Sequence, residues 1–176
     1  SGLVFMIPLG LGMAITVVVG QAVGRADAAG ATRLGYSGVC MCSSVSLLFG
    51  ATTFIFAEEI TRVYVVDPEV VALAVSLFKI AAVLQIGDAT QVAAAFALRG
   101  LKDTRVPMVL NAFNYWGVGF TLAYGLGVYY ELGAAGIWIG LTAALWAAAV
   151  LLLGRFIIVT KRMLTTGVSV NPASRT

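Results

Sequence analysis

Five stretches of this chain run almost unbroken in apolar residues: Gly2 to Gly24, Gly35 to Ala57, Val70 to Leu98, Pro107 to Tyr130 and Ala135 to Val159. Each is long enough, at about 1.5 Å of rise per helical residue, to cross roughly 30 Å of hydrocarbon. The third is the longest and is expected to tilt or to project beyond the membrane. Composition points the same way. The chain is 60% hydrophobic and 11% charged, whereas soluble domains carry about 25% charge. A soluble core built from 176 residues cannot hide that much apolar surface. The expected fold class is therefore all-α integral membrane, with five transmembrane helices in one unit over residues 1–160. A polar tail, KRMLTTGVSVNPASRT over 161–176, is expected to be flexible.

The charges between the stretches orient the bundle. The connectors Arg25 to Arg33 and Arg99 to Arg105, together with the tail, hold Arg25, Arg33, Arg99, Lys102, Arg105, Lys161, Arg162 and Arg175. The connectors Glu58 to Glu69 and Glu131 to Gly133 hold only Arg62. The positive-inside rule assigns the richer side, and with it the tail, to the cytoplasm. Ser1 opens directly into an apolar run without the basic start and cleavage site of a secretory leader. The chain therefore reads as a piece of something longer.

Local signals fit these bounds. Asp67 before Pro68 has the form of a helix entry, and Thr104 before Pro107 has a similar one. Gly100 fits a helix stop. Pro8, with Gly10 and Gly12 close behind, predicts a bend or irregular turn. Gly20/Gly24 and Gly136/Gly140 have the four-residue spacing that lets helices approach closely. Cys40 and Cys42 stand two apart on a helix and face different directions, as small apolar fillers do.

Asp88 is the residue that needs most explanation. A carboxylate in hydrocarbon costs roughly 2.5–3.5 kcal/mol on insertion scales, so something must use or shelter it. On a helix, Gln85 and Gln91 lie about 60° to either side of Asp88, making one polar stripe, and Arg99 returns to within about 20° of it. Lys79 falls about 180° away, which excludes an ion pair with Asp88 along a regular helix. The stripe suits either a cavity wall where Asp88 takes up a proton or a cation such as sodium, or a carboxylate bonded to a neighbouring helix. A second cluster, NAFNYW, puts Asn111, Asn114 and Tyr115 on one broad face. Amides in hydrocarbon need partners, so this face belongs to a cavity or a helix contact. Asn111, Tyr115 and Phe120, with Gln21 or Thr16 from the first stretch, would suit a flat cationic molecule.

Enzyme chemistry finds little support. The chain has no histidine, which excludes serine–histidine and cysteine–histidine pairs. No glycine-rich phosphate loop is present, and no basic cluster interleaved with aromatics favours nucleic acid. Zinc and haem have almost no ligands to draw on, and no cofactor is expected. An ion gradient, by contrast, needs only one or a few carboxylates in a moving bundle. The residues alone thus lead to membrane helices with a buried acid. A transporter and a non-transporting membrane scaffold module both stay open.

The blocks LGLGMAITVVVGQAVGRADAAGATR, GDATQVAAAFALRGLKDTRVPMVLNAFNYWGVGF and GAAGIWIGL, in that order, resemble the second half of a bacterial transporter of the multidrug and toxic compound extrusion family. The likeness runs from about Pro8 to about Val159. It implies that the five stretches correspond to helices eight to twelve of a twelve-helix, two-lobed antiporter of the inner membrane, the N-terminal lobe being absent. It further implies export of organic cations and other amphipathic drugs in exchange for sodium ions or protons. Asp88 would be the coupling carboxylate, and Gln85, Gln91, Asn111, Asn114, Tyr115 and Gln21 candidate cavity residues. Leu84 and Phe120 depart from the family's usual pattern, which leaves ion choice and drug range open. A lipid or oligosaccharide flippase of related architecture is the remaining alternative.

Overall fold

A computed structural model describes residues 2–64, 68–129, 131 and 133–166. The chain forms α1 (Gly2–Gly24), α2 (Ala28–Ile55), a short α3 (Ala57–Tyr64) and the long α4 (Pro68–Gly100). Next comes a rod in which α5 (Arg105–Phe113) and α6 (Phe120–Tyr124) alternate with two π-helical turns, Asn114–Gly119 and Gly125–Tyr129. The last element is α7 (Gly133–Thr166). The result is an all-α, multi-span membrane domain.

Among the described residues four helices are long and apolar enough to cross a membrane, not five. The fourth apolar stretch is the exception, because the π turns divide it into short segments. Helix ends also depart from the hydropathy bounds. α2 starts at Ala28, seven residues before Gly35, because the Asp27 carboxylate accepts a hydrogen bond from the Gly30 N–H at 2.7 Å and caps the helix. α7 continues through the polar residues after Val159 to Thr166. Thr104 makes no side-chain cap bond, and α1 runs through Pro8 with no irregular turn. The expected cap at Asp67 and the tail over 167–176, with Arg175, lie outside the described residues.

α4 is the hub and packs against α1, α2 and α7. Its second half is buried or half-buried except at Arg99, whereas the described side chains of its first half are mostly exposed or half-buried. The core gathers at the end where α1 and α4 finish. There Val19, Ala22, Ala31, Cys42, Leu98, Leu101, Leu152 and Phe156 pack together. In lipid this assembly is held by close packing rather than by escape from water. Gly100 shows how close: a Cβ there would lie 2.8 Å from Val19 Cβ and 3.0 Å from the Thr16 carbonyl oxygen. On the other side of α7, a Cβ on Gly140 would lie 2.6 Å from the Ala123 backbone nitrogen. Gly136 is buried as well, so the small-residue spacing on α7 marks its contact with the rod.

Candidate functional site

Asp88 lies eleven residues before Arg99, about 16 Å along the helix axis. Taking Arg99 as the membrane boundary puts Asp88 near mid-depth, where transporter sites commonly sit. Around it, α4 is held by polar contacts to four neighbours. The Thr90 hydroxyl pairs with that of Ser43 on α2 at 3.0 Å. The Trp146 indole N–H of α7 donates to the Val83 carbonyl at 3.3 Å, and its ring covers Gly87, where a Cβ would come within 3.0 Å of it. The Thr16 hydroxyl of α1 donates to the Phe96 carbonyl at 2.8 Å. The fourth contact reaches the rod through Gln91.

Gln91 is 4% exposed, and its amide is fully engaged. Nε2 donates to Asn111 Oδ1 at 3.2 Å and to the Tyr115 hydroxyl at 2.7 Å, and that hydroxyl donates to Gln91 Oε1 at 3.1 Å. Asn111, near the end of α5, and Tyr115, second residue of the π turn, stand four residues apart on one face, so both meet the same partner. Asn114 opens the π turn and points elsewhere: fully buried, it donates to the Ala144 carbonyl of α7 at 2.7 Å. NAFNYW therefore splits between two contacts instead of presenting one face.

Asp88 itself is half-buried and makes no side-chain hydrogen bond or ion pair among the described residues. It lies within electrostatic reach of the Tyr115 hydroxyl. On its other side the Gln85 Nε2 is buried without a partner. Helical spacing thus puts Asp88 between the face of α4 that meets α1 and the face that meets the rod, flanked by one amide already spent and one still unmatched. Arg99 is too far for an ion pair and lies over the Phe96 ring, 4.9 Å from its centroid. No group of three acidic, cysteine or histidine side chains that could hold a metal occurs among the described residues. Any cation at Asp88 would draw its remaining ligands from amides, carbonyls and water.

Two expected cavity residues lie apart. Thr16 is committed to the Phe96 carbonyl. Gln21 is exposed, and its neighbour Gly20 faces the Gly100 carbonyl oxygen, roughly 18 Å along α4 from Asp88. The flat-molecule stripe is therefore not assembled from them. Other contacts escaped the sequence altogether. The Trp146 bond to Val83 had no signal beyond the glycine preceding Asp88. The ion pair between Arg155 Nε and Asp103 Oδ2, 2.8 Å long with Asp103 buried, had one. Arg155 stands inside an apolar stretch, where a charge calls for a partner just as Asp88 does.

Comparison with known proteins now decides the family. The MatE family pattern matches residues 1–125. The chain belongs to the MatE family. It is 42% identical over 161 residues to a probable multidrug resistance protein NorM of Xylella fastidiosa, covering 92% of this chain and 34% of the relative. It is 44% identical over 165 residues to the multidrug resistance protein PmpM of Pseudomonas aeruginosa, covering 86% and 33%. The MatE chain thus spans about a third of the length of the curated relatives it matches. Its fold is that of part of two solved transporters. An inward-facing multidrug resistance MATE transporter of the MOP superfamily has a TM-score of 0.83 at 19% identity, with 94% of this chain and 38% of that one covered. A eukaryotic MATE transporter gives 0.79 at 23% identity, with the same shares covered.

Proposed function

We propose that the intact protein is a secondary active antiporter of the bacterial inner membrane that exports organic cations and other amphipathic drugs against an inward flow of sodium ions or protons. This chain supplies most of its second lobe, and the missing N-terminal lobe supplies the other wall of the transport path. The observation that carries this reading is Asp88: a carboxylate near mid-membrane, half-buried and unpaired among the described residues. A structural acid needs a bonded neighbour in hydrocarbon, and none of the described helices of this chain supplies one. The scaffold alternative requires that pairing. Gln85, with its unmatched amide, is a second group for the ion or its water, while Gln91, Asn111 and Tyr115 shape the wall beside it.

The segmented rod from Arg105 to Tyr129 is then the fourth of five crossings, which brings the end of α7 and the tail to the cytoplasmic side. Loading and release of the ion at Asp88 would bias the packing of the lobes and so alternate the access of the cavity. Drug-driven cation flux through the full-length transporter in proteoliposomes tests the assignment. Asp88→Asn is expected to abolish coupled flux while the protein still inserts. Unchanged coupling would remove Asp88 from the role.

A further inference from the structure

Lys79 lies on the side of α4 opposite Asp88 and faces a groove between α2 and α7. Its ammonium sits over the Phe54 ring, 5.6 Å from the centroid, and it makes no ion pair among the described residues. Phe54, Val83, Ile139 and Thr142 line the groove around Lys79. The groove continues along α2 and α4 past Gly50 and Ile86. A cation beside such an apolar channel needs a counter-charge, and a ring face alone supplies only part of it.

Depth identifies what brings that charge. On α4, Lys79 is 20 residues from Arg99; on α7, Thr142 is 20 from Arg162; on α2, Phe54 is 21 from Arg33. Each interval spans about 30 Å, one hydrocarbon thickness. If the arginine belt marks one headgroup boundary, Lys79, Thr142 and Phe54 together mark the other. At that level the abundant anion is a lipid phosphate, and the apolar channel runs from it toward mid-membrane.

We infer that Lys79 and the α2–α4–α7 groove form a binding site for one anionic phospholipid, its phosphate on the Lys79 ammonium and an acyl chain lying past Val83 and Gly50. With the orientation proposed above, this is a lipid of the outer leaflet. The site is separate from Asp88, so it stands whether or not Asp88 couples transport.

Native mass spectrometry of the full-length transporter with phosphatidylglycerol and phosphatidylcholine tests it. The wild type is expected to retain phosphatidylglycerol preferentially. Lys79→Met should weaken that preference about fivefold, the effect of one lysine at an anionic surface, and Lys79→Arg should keep it. Ala51→Phe, which narrows the channel and leaves the charge, should weaken both lipids alike. Equal retention of the two lipids by the wild type, or full retention by Lys79→Met, would overturn the site. So would cross-linking of Ile80→Cys to the other lobe or to a second copy, since protein would then fill the groove.

Discussion

The turns that follow α1 and α4 share one backbone and spend it differently. In each, the helix ends in a residue with left-handed backbone, Ala26 at φ 56° and Lys102 at φ 64°. In each, the N–H of the next residue, an aspartate, reaches back to the carbonyl five residues earlier: Asp27 to Ala22 and Asp103 to Leu98, both at 3.0 Å. This is the Schellman closure, made here without the usual glycine. The side chains then diverge. Asp27 is exposed and caps the helix that follows it, while Asp103 is buried and binds Arg155 of α7. The same stop signal serves local structure in one place and joins distant helices in the other, and the difference lies wholly in what stands nearby.

The strongest way to break the comparison is Arg155→Leu. It leaves a buried carboxylate unpaired and should cost about 3–5 kcal/mol, seen as a fall in the unfolding midpoint of the full-length protein in mixed micelles. Replacing both partners with apolar residues should recover most of the loss. Asp27→Ala should cost only about 1 kcal/mol, the value of an N-cap; a loss as large as that of Arg155→Leu would show that Asp27 has a tertiary role too. The smallest effect isolates the shared backbone. Ala26→Gly and Lys102→Gly relieve the left-handed strain, so each should gain about 0.5–1 kcal/mol by the same measure. A loss at either site would mean that its side chain contributes more than its backbone costs.

Much of this was legible in the sequence, for reasons that also explain what was not. Hydropathy finds the hydrocarbon-facing parts of helices but not their ends, so α2 began early at its Asp27 cap and α7 ran on past Thr160. Helical spacing placed Gln85 and Gln91 correctly about Asp88 because α4 is regular there. The broad face drawn for Asn111, Asn114 and Tyr115 was too wide: Asn114 lies about 60° from Asn111 on the side away from Tyr115, and there it meets α7. Nothing in NYWGVG announces a wider turn; it accompanies the tight fit of the rod against α7. Gln21 was grouped by residue type alone, and its level in the bundle depends on how α1 meets α4 at Gly20 and Gly100.

The four polar contacts on α4, at Val83, Thr90, Gln91 and Phe96, act as bearings around a shaft. They come from four different neighbours, so no rotation of α4 about its own axis can spare them all. A roll of α4 that turned Asp88 would have to break at least one of them, each worth about 1 kcal/mol. In the cycle proposed above, a change in the side to which Asp88 opens would therefore move its neighbours with it.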